Sequence, residues 1–293
     1  MKQTIVLALT LLAFSSVTAA EKKHIVFIAG NPSHGPGEHE HRAGCLLLKS
    51  CLDKLPSVTS TVYSNGWPEN PTEAFEHAAT IVVYSDGGGG HPLLQDEHLK
   101  TIGHLMNKGV GLVCIHYAVE PTKEKGEKEF LDWIGGAFEV NWSVNPTWTA
   151  EYKELPHHPI TRGVKPFTIH DEWYFHMRFR EHMHGVTPIL TAIPPESTMN
   201  RPDGTHSGNP AVREAVKKQE PQHMAWASER ADGGRGFGWT GAHFHRNWFN
   251  HEFRTLVLNA ILWTTKVEVP AGGVPSEVTS EEMRLNMDPK GKK

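Results

Sequence analysis

The chain alternates short apolar runs with amphipathic segments, a pattern that predicts β-strands and α-helices in alternation. Continuous apolar runs predict buried strands at residues 24–30, 58–63, 79–85 and 110–116. Between them, apolar residues at helical spacing predict helices at 40–55, 72–78 and 93–107. Repeated strand–helix units build a parallel sheet covered by helices on both faces, so the pattern predicts an α/β fold.

The second half of the chain is less regular. It predicts helices at 130–138 and 249–265, with a loop rich in Trp and Asn at 141–149. Strands are predicted at 149–153, 187–193, 223–229 and 236–242. Residues 194–222 are rich in Pro, Gly and charge and are interpreted as an excursion from the sheet. Because no internal repeat is present, we expect a single domain with loop insertions at 21–270, followed by a polar tail at 271–293 on the surface.

The first twenty residues have the features of a secretory signal peptide. Lys2 precedes an apolar run at 5–14, and small residues follow at 15–20. The apolar run is too short for a spanning helix. We therefore expect cleavage of residues 1–20 and export of a protein without a membrane anchor, to the periplasm or the extracellular medium.

Composition excludes several classes of protein. The 293 residues include 38% hydrophobic and 21% charged residues, which is typical of a folded domain and not of a disordered chain. A formal charge of −4 without a basic patch argues against a nucleic-acid partner. Three cysteines are too few for a disulfide scaffold. The unusual feature is the count of 20 histidines.

Many of these histidines follow predicted strands. His34, His39 and His41 lie in the loop after the first strand, His116 ends the fourth, and His243 follows the last. Active sites in open α/β sheets lie at the carboxyl ends of the strands, so we expect these segments to converge at one rim. Histidines in predicted helices, at strand starts or in the excursion receive no functional role: His24, His77, His98, His104, His182, His184 and His206.

Converging imidazoles and carboxylates suit a divalent metal such as zinc, iron, manganese or nickel. A further polar cluster lies at 170–176, and the candidate ligands, one from each cluster, are His34, His116, Glu172 and His243. At most one of His39 and His41 is expected in the site, because both lie where a helix begins. The alternative is a metal-free pocket whose histidines hydrogen-bond a sugar. Candidate catalytic residues are Asp171, Glu172 and His176.

Candidate substrate-binding residues are aromatic and polar groups near these segments, which suit the apolar faces and hydroxyls of a sugar. They are Tyr117, Trp173, Tyr174, His245, Arg246 and Asn247. Gly88 and Gly89 belong to a glycine loop that either cradles an oxyanion or hydroxyl or forms a flexible turn. No Walker lysine follows that loop and no Gly-x-Gly-x-x-Gly follows the first strand, so no nucleotide cofactor is indicated.

Several short motifs occur in a particular order along residues 24–270. They are SHG at 33–35, GLVCIH at 111–116, HPITRG at 158–163, DEWY at 171–174, GRG at 234–236 with GAH at 241–243, and FR at 253–254 leading to ILW at 261–263. Together they resemble the trehalose-utilisation (ThuA-like) family, within the class I glutamine-amidotransferase-like superfamily. This resemblance implies a flavodoxin-like sheet and a role in carbohydrate catabolism, on a disaccharide, a glycoside or a 3-keto derivative.

The chain departs from that superfamily at one position. Amidotransferases place a nucleophilic cysteine at the turn after the equivalent strand, whereas here the turn holds His116 and Cys114 lies two residues earlier. A thiol in apolar surroundings has a raised pKa and is a poor nucleophile, so Cys114 is expected in the core. The sequence therefore favours a metal-assisted lyase, hydrolase or isomerase. A secreted sugar-binding protein without catalysis and a thiol hydrolase using Cys114 remain the alternatives.

Overall fold

A computed structural model describes residues 21–291, so the expected signal peptide at 1–20 lies outside the described residues. The strands are β1 (Lys23–Ala29), β2 (Val58–Tyr63), β3 (Ala78–Tyr84), β4 (Gly111–Ile115), β5 (Gly136–Ala137), β6 (Thr147–Tyr152), β7 (Phe167–Glu172), β8 (Arg178–Phe179), β9 (Val186–Ala192), β10 (Gln222–Glu229) and β11 (Arg235–Trp239). The α-helices are α1 (His41–Leu52), α2 (Pro71–Phe75), α3 (His98–Met106), α4 (Glu127–Trp133), α5 (Pro210–Lys217) and α6 (His251–Thr264). Short 3-10 helices are Gly88–Gly90, Pro92–Leu94, His116–Val119, Pro159–Thr161, Glu181–Met183, Glu196–Met199, His245–Phe249 and Glu282–Arg284.

Seven strands form one sheet in the order β2-β1-β3-β4-β11-β10-β9. The first five of these are parallel to one another, while β10 pairs antiparallel with both β11 and β9. The order β2-β1-β3-β4 followed by one further parallel strand is the flavodoxin-like arrangement. The prediction of an open, mainly parallel sheet in a single domain is confirmed.

The two faces of the sheet bury separate sets of apolar side chains. In β1, Ile25 and Phe27 point to the face covered by α1 and α6, whereas Val26 and Ile28 point to the face covered by α2, α3 and α4. This alternation, with apolar residues on both sides, is what a strand in the middle of a parallel sheet requires. The helix α6 is buried around most of its circumference. Among residues 21–291, no helix is both long enough and apolar enough to cross a bilayer.

Two predicted helices have different bounds. The helix predicted at 93–107 begins at His98, because Asp96 adopts a left-handed backbone (φ 39°) that separates it from the preceding 3-10 turn. The helix predicted at 130–138 is α4, which ends before Gly135 (φ 81°). A Cβ at Gly135 would lie 2.6 Å from Val186 Cγ2, so this turn also requires a residue without a side chain. The two residues that follow form β5.

Four of the strands and α-helices were missed: β5, β7, β8 and α5. The strand β7, whose residues were interpreted as a polar cluster, pairs antiparallel with β6 in a hairpin outside the central sheet. Its alternation is weak because only Phe167 and Asp171 are buried. The strand predicted at 149–153 is β6, which begins at Thr147 within the predicted loop. The helix α5 lies inside the predicted excursion, capped by the side chain of Asn209, which accepts from Val212 N.

Most described residues of the tail after residue 270 are exposed, but a few of its side chains are buried against the rest of the protein. Val274 and Met283 are 2% and 8% exposed. The carbonyl oxygen of Met283 accepts a hydrogen bond from His245 Nε2 at 3.0 Å. Lys290 lies 3.3 Å from the buried carboxylate of Glu40 and also donates to the carbonyl oxygen of Glu38. The tail therefore supports the segment that leads into α1.

Candidate functional site

Four side chains converge at the carboxyl-end rim of the parallel strands. His116 follows β4, Glu172 ends β7, His243 lies after β11, and His39 precedes α1. One potential ligand atom from each lies within 4.8 Å of the others. We call His39, His116, Glu172 and His243 the four-residue cluster. The convergence at this rim is the arrangement that open α/β sheets favour.

The potential ligand atoms of the four-residue cluster form a ring. His39 Nε2 lies 3.1 Å from His116 Nε2 and 3.0 Å from His243 Nδ1. Glu172 Oε2 lies 3.5 Å from His116 Nε2 and 3.3 Å from His243 Nδ1. His39 and His116 are 1% and 0% exposed. Water therefore has little access to the two nitrogens that face each other.

The outer hydrogen bonds fix which nitrogens carry protons. His116 Nδ1 is 2.8 Å from the carbonyl oxygen of Thr240, and a carbonyl only accepts, so this nitrogen is the donor. His39 Nδ1 likewise donates to Asp86 Oδ1 at 2.7 Å. In the neutral imidazoles the two Nε2 atoms are then unprotonated. The two Nε2 atoms lie 3.1 Å apart, and the donors that face them are His243 Nδ1, 3.0 Å from His39 Nε2, and the hydroxyl of Tyr174, 3.2 Å from His116 Nε2.

Burial keeps two of these imidazoles neutral. Desolvation lowers the pKa of His39 to about 3, although the hydrogen bond to Asp86 opposes this shift, and it lowers the pKa of His116 well below its ordinary value. Burial also opposes protonation of His243, but the hydrogen bond and charge of Glu172 outweigh it and raise the pKa of His243. For Asp86, burial acts upward, yet the hydrogen bonds from His39 and Ser33 lower its pKa to about 2.

Asp171 holds the segment that carries His243. It is fully buried, and its carboxylate accepts hydrogen bonds from Ala242 N at 2.7 Å and His243 N at 3.1 Å. It also accepts from Glu172 N. Burial raises the pKa of Asp171, and these backbone donors oppose that shift. The structure does not support its prediction as a catalytic acid or base, because its oxygens are committed to backbone N–H groups.

The predicted ligand His34 lies beside the four-residue cluster and not within it. Its ring stacks on the ring of His39 with centroids 3.6 Å apart, and its side chain is 39% exposed. Its Nδ1 is 3.9 Å from Asp86 Oδ1, and His34, His39 and Asp86 form a second possible ligand group. His39 has a left-handed backbone (φ 44°) just before α1, and it occupies the place that the sequence prediction gave to His34.

Two further predicted or alternative catalytic groups lie elsewhere. His176 stacks on Trp142 and its Nδ1 donates to the carbonyl oxygen of Trp142 at 3.0 Å, so its imidazole is held away from the cleft beside the cluster. The structure therefore does not support the catalytic role that the sequence predicted for His176. Cys114 is fully buried in β4, and burial raises its pKa, as the sequence predicted for a core residue.

A cleft of about 370 Å³ opens beside the cluster. Its lining combines two cluster members with polar groups from several loops: His34, His39, Tyr117, Glu120, Asn145, Glu172, Tyr174, Arg201, Thr205, His206 and Ser207. Of the predicted substrate-binding residues, Tyr117 and Tyr174 line it, and Tyr174 Oη lies 3.2 Å from His116 Nε2. A Cβ at Gly88 would be 3.6 Å from Tyr117 Oη, whereas Gly89 is exposed.

The other predicted substrate-binding residues point away from this cleft. Trp173 is fully buried, with its ring against Trp239 and Phe253. Asn247 donates to the carbonyl oxygen of His170. His245 and Arg246 line a separate pocket of about 460 Å³ together with Phe249 and Met283. The 3-10 turn after Phe244 directs His245 and Arg246 to the side of the molecule where the tail packs. The structure therefore does not support the predicted substrate-binding roles of Trp173, His245, Arg246 and Asn247.

Sequence reasoning missed several residues that the structure places in the site. Asp86 lies two residues after the end of β3 and Glu120 closes the turn after β4, so the strand-end criterion would have selected both. His206, which received no functional role, lines the cleft together with Arg201. Neither follows a strand. Only tertiary folding brings residues 200–208 back to the rim, so the pattern of the chain offers no signal for them.

The fold and the rim site define an α/β protein of flavodoxin-like topology with a polar site at its strand ends. The family model described as trehalose utilisation matches residues 39–264, so the chain belongs to the ThuA family. Membership of this family implies a role in carbohydrate utilisation. No match is found among curated proteins.

The chain is similar to two crystal structures of ThuA-like proteins. The one from Bacteroides uniformis is 14% identical, with 86% of this chain and 95% of that chain covered and a TM-score of 0.59. The one from Parabacteroides merdae is 13% identical, with 89% and 94% covered and a TM-score of 0.54. A glutamine amidotransferase from Thermotoga maritima is 10% identical, with 84% and 97% covered and a TM-score of 0.43. At these identities the likeness to the ThuA-like structures concerns the fold.

Proposed function

We propose that the chain is an exported, metal-assisted enzyme that acts on a disaccharide, a glycoside or a 3-keto sugar as a lyase, hydrolase or isomerase. The observation that carries this proposal is the pair of unprotonated Nε2 atoms of His39 and His116, 3.1 Å apart in a buried site. A divalent cation would bind both lone pairs at once; without one, the donors that face them are Tyr174 Oη, 3.2 Å from His116 Nε2, and His243 Nδ1, 3.0 Å from His39 Nε2. The donor set of three imidazoles and one carboxylate suits a divalent transition metal.

The groups behind the cluster support the same proposal. Histidine ligands of metals usually donate their other N–H to a carboxylate or a backbone carbonyl, which fixes the tautomer and the ring. His39 donates in this way to Asp86 and His116 to Thr240. The low pKa of both histidines leaves them neutral near pH 7, the state in which imidazole binds metal.

The cleft residues supply the contacts for a sugar. A bound divalent metal would polarise a sugar carbonyl or hydroxyl and lower the pKa of a proton next to it. Burial raises the pKa of Tyr174 well above its ordinary value and that of Tyr117 to about 12, so both hydroxyls remain neutral donors. Arg201 donates to Asn145 Oδ1 at 2.9 Å, and Asn145 donates to Glu172 Oε1 at 3.2 Å. This chain of hydrogen bonds orients the carboxylate in the cluster.

The proposal is tested by a screen for turnover. Trehalose and other disaccharides, together with their 3-keto forms, are incubated with metal-stripped protein, with and without added zinc, iron, manganese or nickel, and products are identified by mass. We expect turnover that requires metal and is lost in Glu172→Gln. The control His176→Asn, which alters a histidine outside the cleft, should retain turnover.

Other outcomes distinguish the alternatives. A metal-free protein that still turns over a sugar would remove the metal from the mechanism. Saturable sugar binding without turnover under any of these conditions would make the chain a sugar-binding protein. Inactivation by alkylation together with loss of turnover in folded Cys114→Ala would support the thiol hydrolase.

A further inference from the structure

A second pair of interacting titratable side chains lies in the cleft, outside the four-residue cluster. His206 Nε2 is 3.0 and 3.1 Å from the two carboxylate oxygens of Glu120. Glu120 is 2% exposed, whereas 29% of the His206 side chain is exposed. The carboxylate is therefore buried behind the imidazole, and the imidazole faces the cleft that Glu172 and His39 also line.

The contacts of His206 fix its tautomer. Because the Glu120 carboxylate accepts, His206 Nε2 carries the proton and Nδ1 of the neutral ring is unprotonated. His206 Nδ1 lies 3.1 Å from Thr205 Oγ1, a hydroxyl that can donate to it and can also rotate away. The ring packs against Phe138 with centroids 5.2 Å apart. A histidine held at one nitrogen by a buried carboxylate, with the other nitrogen available, has the form of an oriented general base.

We infer that His206, oriented by Glu120, is the general acid–base of this enzyme, and that substrate lies between it and the four-residue cluster. The inference rests on the proposed function. His206 Nδ1 takes a proton from a substrate hydroxyl, a substrate C–H or a water, and Glu120 balances the charge of the imidazolium. The same nitrogen then returns that proton to the leaving or newly formed oxygen, so protons are conserved and no redox partner is needed.

The charges around His206 support a proton-transfer role near neutral pH. The hydrogen bond that His206 donates to Glu120 raises the pKa of His206, and the charge of Glu120 acts in the same direction, as does that of Glu172 in the metal-free protein. Burial and the positive charge of Arg201 oppose that shift. Tyr117 also faces Glu120. Histidine titrates close to the working pH of most enzymes, which is where general acid–base catalysis is most effective.

Other contacts hold the segment that carries His206 in place, so its position does not depend on the Glu120–His206 pair. Asn145 N donates to the carbonyl oxygen of His206 at 3.0 Å, and Asn141 N donates to that of Thr205 at 2.7 Å. Arg213 Nε donates to Asp203 Oδ1 at 2.7 Å, and its guanidinium also binds the carbonyl oxygen of Arg201. A substitution at His206 should therefore leave the fold intact.

The test compares His206→Gln, Glu120→Gln and His206→Ala, assayed with the substrate and metal from the screen above. We expect His206→Gln, which keeps an amide donor for Glu120, to lose roughly 100- to 10,000-fold in kcat with little change in KM. Added imidazole should partly restore His206→Ala. Glu120→Gln removes the charge that raises the pKa of His206, so the acidic limb of its pH–kcat profile should move to lower pH.

The controls separate this inference from the proposed function. Metal content and thermal unfolding should match the unmodified protein in all three variants. His223→Gln alters a half-buried histidine that also contacts a threonine hydroxyl, at 2.9 Å, and should retain kcat. Unchanged kcat in His206→Gln with metal bound would overturn the inference alone. Activity lost only together with the fold, without imidazole rescue, would show a structural role and would also overturn it. Absence of turnover in the metal-loaded unmodified protein would contradict both proposals.

Discussion

At the scale of single residues, the site depends on two strained backbone positions. His39 and His116 both adopt left-handed conformations, with φ of 44° and 58°. Such conformations cost about 1 kcal/mol or more in non-glycine residues and persist where the surrounding structure compensates for them. Here the hydrogen bonds of Asp86 and Thr240 hold the two imidazoles that these backbones present. The backbone strain therefore lies at His39 and His116, the two residues whose Nε2 atoms face each other in the cluster.

Asp86 should control the metal affinity of the cluster. In Asp86→Asn the side-chain amide can present its N–H groups to His39 Nδ1, and the favoured tautomer of His39 is lost. We expect metal affinity to fall by about 10- to 100-fold, as when other carboxylate partners of ligand histidines are removed. Competition with a fluorescent chelator measures this affinity. His176→Asn serves as the control, and an unchanged affinity in Asp86→Asn would contradict the assigned tautomer.

Cys114 should be dispensable for turnover. Its thiol is fully buried in β4, and burial raises its pKa, so it contributes to packing and not to nucleophilic chemistry. Cys114→Ala should retain kcat while losing about 1 kcal/mol of unfolding free energy from the cavity. Urea unfolding and the turnover assay measure both quantities. Loss of turnover with the fold intact would contradict this assignment.

At the scale of elements, the strands of the sheet were predictable and the hairpin was not. The strands β1, β3 and β4 are buried on both faces, so their apolar runs are continuous and unambiguous. In β7 only two of six residues are buried, and His170, Asp171 and Glu172 gave it the composition of a loop. Its strand conformation comes from pairing with β6, which is 15 or more residues away in the sequence. The residues of β7 alone therefore do not predict that it pairs with β6.

Local sequence was also an incomplete guide to the residues of the candidate functional site. The strand-end criterion selected His116 and His243, and Glu172 was selected as a carboxylate of the polar cluster at 170–176; the structure brings all three together. It did not separate His34 from His39, because the choice depends on backbone angles in a single loop. It also assigned His245 to the site, although the 3-10 turn directs this residue toward Met283. Predicting which segments meet is thus easier than predicting which side chain of a segment points inward.

Neighbouring carboxylates at the end of β7 should behave differently. Asp171→Asn replaces an acceptor of several backbone N–H groups, including those of Ala242 and His243, with a group that accepts at only one end. We expect a loss of about 2 to 3 kcal/mol in unfolding free energy, which is typical of hydrogen bonds to a buried charge. Glu172→Gln should lose metal binding with little change in stability. Urea unfolding tests this contrast, and equal stabilities for the two variants would contradict the positioning role of Asp171.

At the scale of the whole molecule, the protein buries several neutral histidines within its core and rim. Burial lowers the pKa of His91 to about 4, although its hydrogen bond to the carbonyl oxygen of Ala118 opposes the shift. Burial likewise lowers the pKa of His41 to about 4 and that of His39 to about 3. In the unfolded chain each would titrate near 6.5. Between these low pKa values and about 6.5, the unfolded chain therefore binds protons on these histidines that the folded protein does not bind.

The metal-free protein should lose stability in mild acid. Because the unfolded state binds more protons between about pH 6.5 and 4, the free energy of unfolding falls as the pH falls through this window. The pKa shift of His91 alone corresponds to about 2 kcal/mol at pH 5. Urea titrations at pH 7 and pH 5 measure the loss. His91→Gln, which keeps an amide donor for Ala118, should show a smaller pH dependence, and an identical dependence would contradict the buried neutral state.

The central claim is that His39, His116, Glu172 and His243 hold a divalent metal. The most direct measurement is the metal content of protein purified without chelators and reloaded by dialysis, determined by inductively coupled plasma mass spectrometry. The account predicts one tightly bound transition-metal ion per chain, retained in His176→Asn and lost in Glu172→Gln. Protein that takes up no zinc, iron, manganese or nickel above background, or that binds metal equally well in Glu172→Gln, would contradict it.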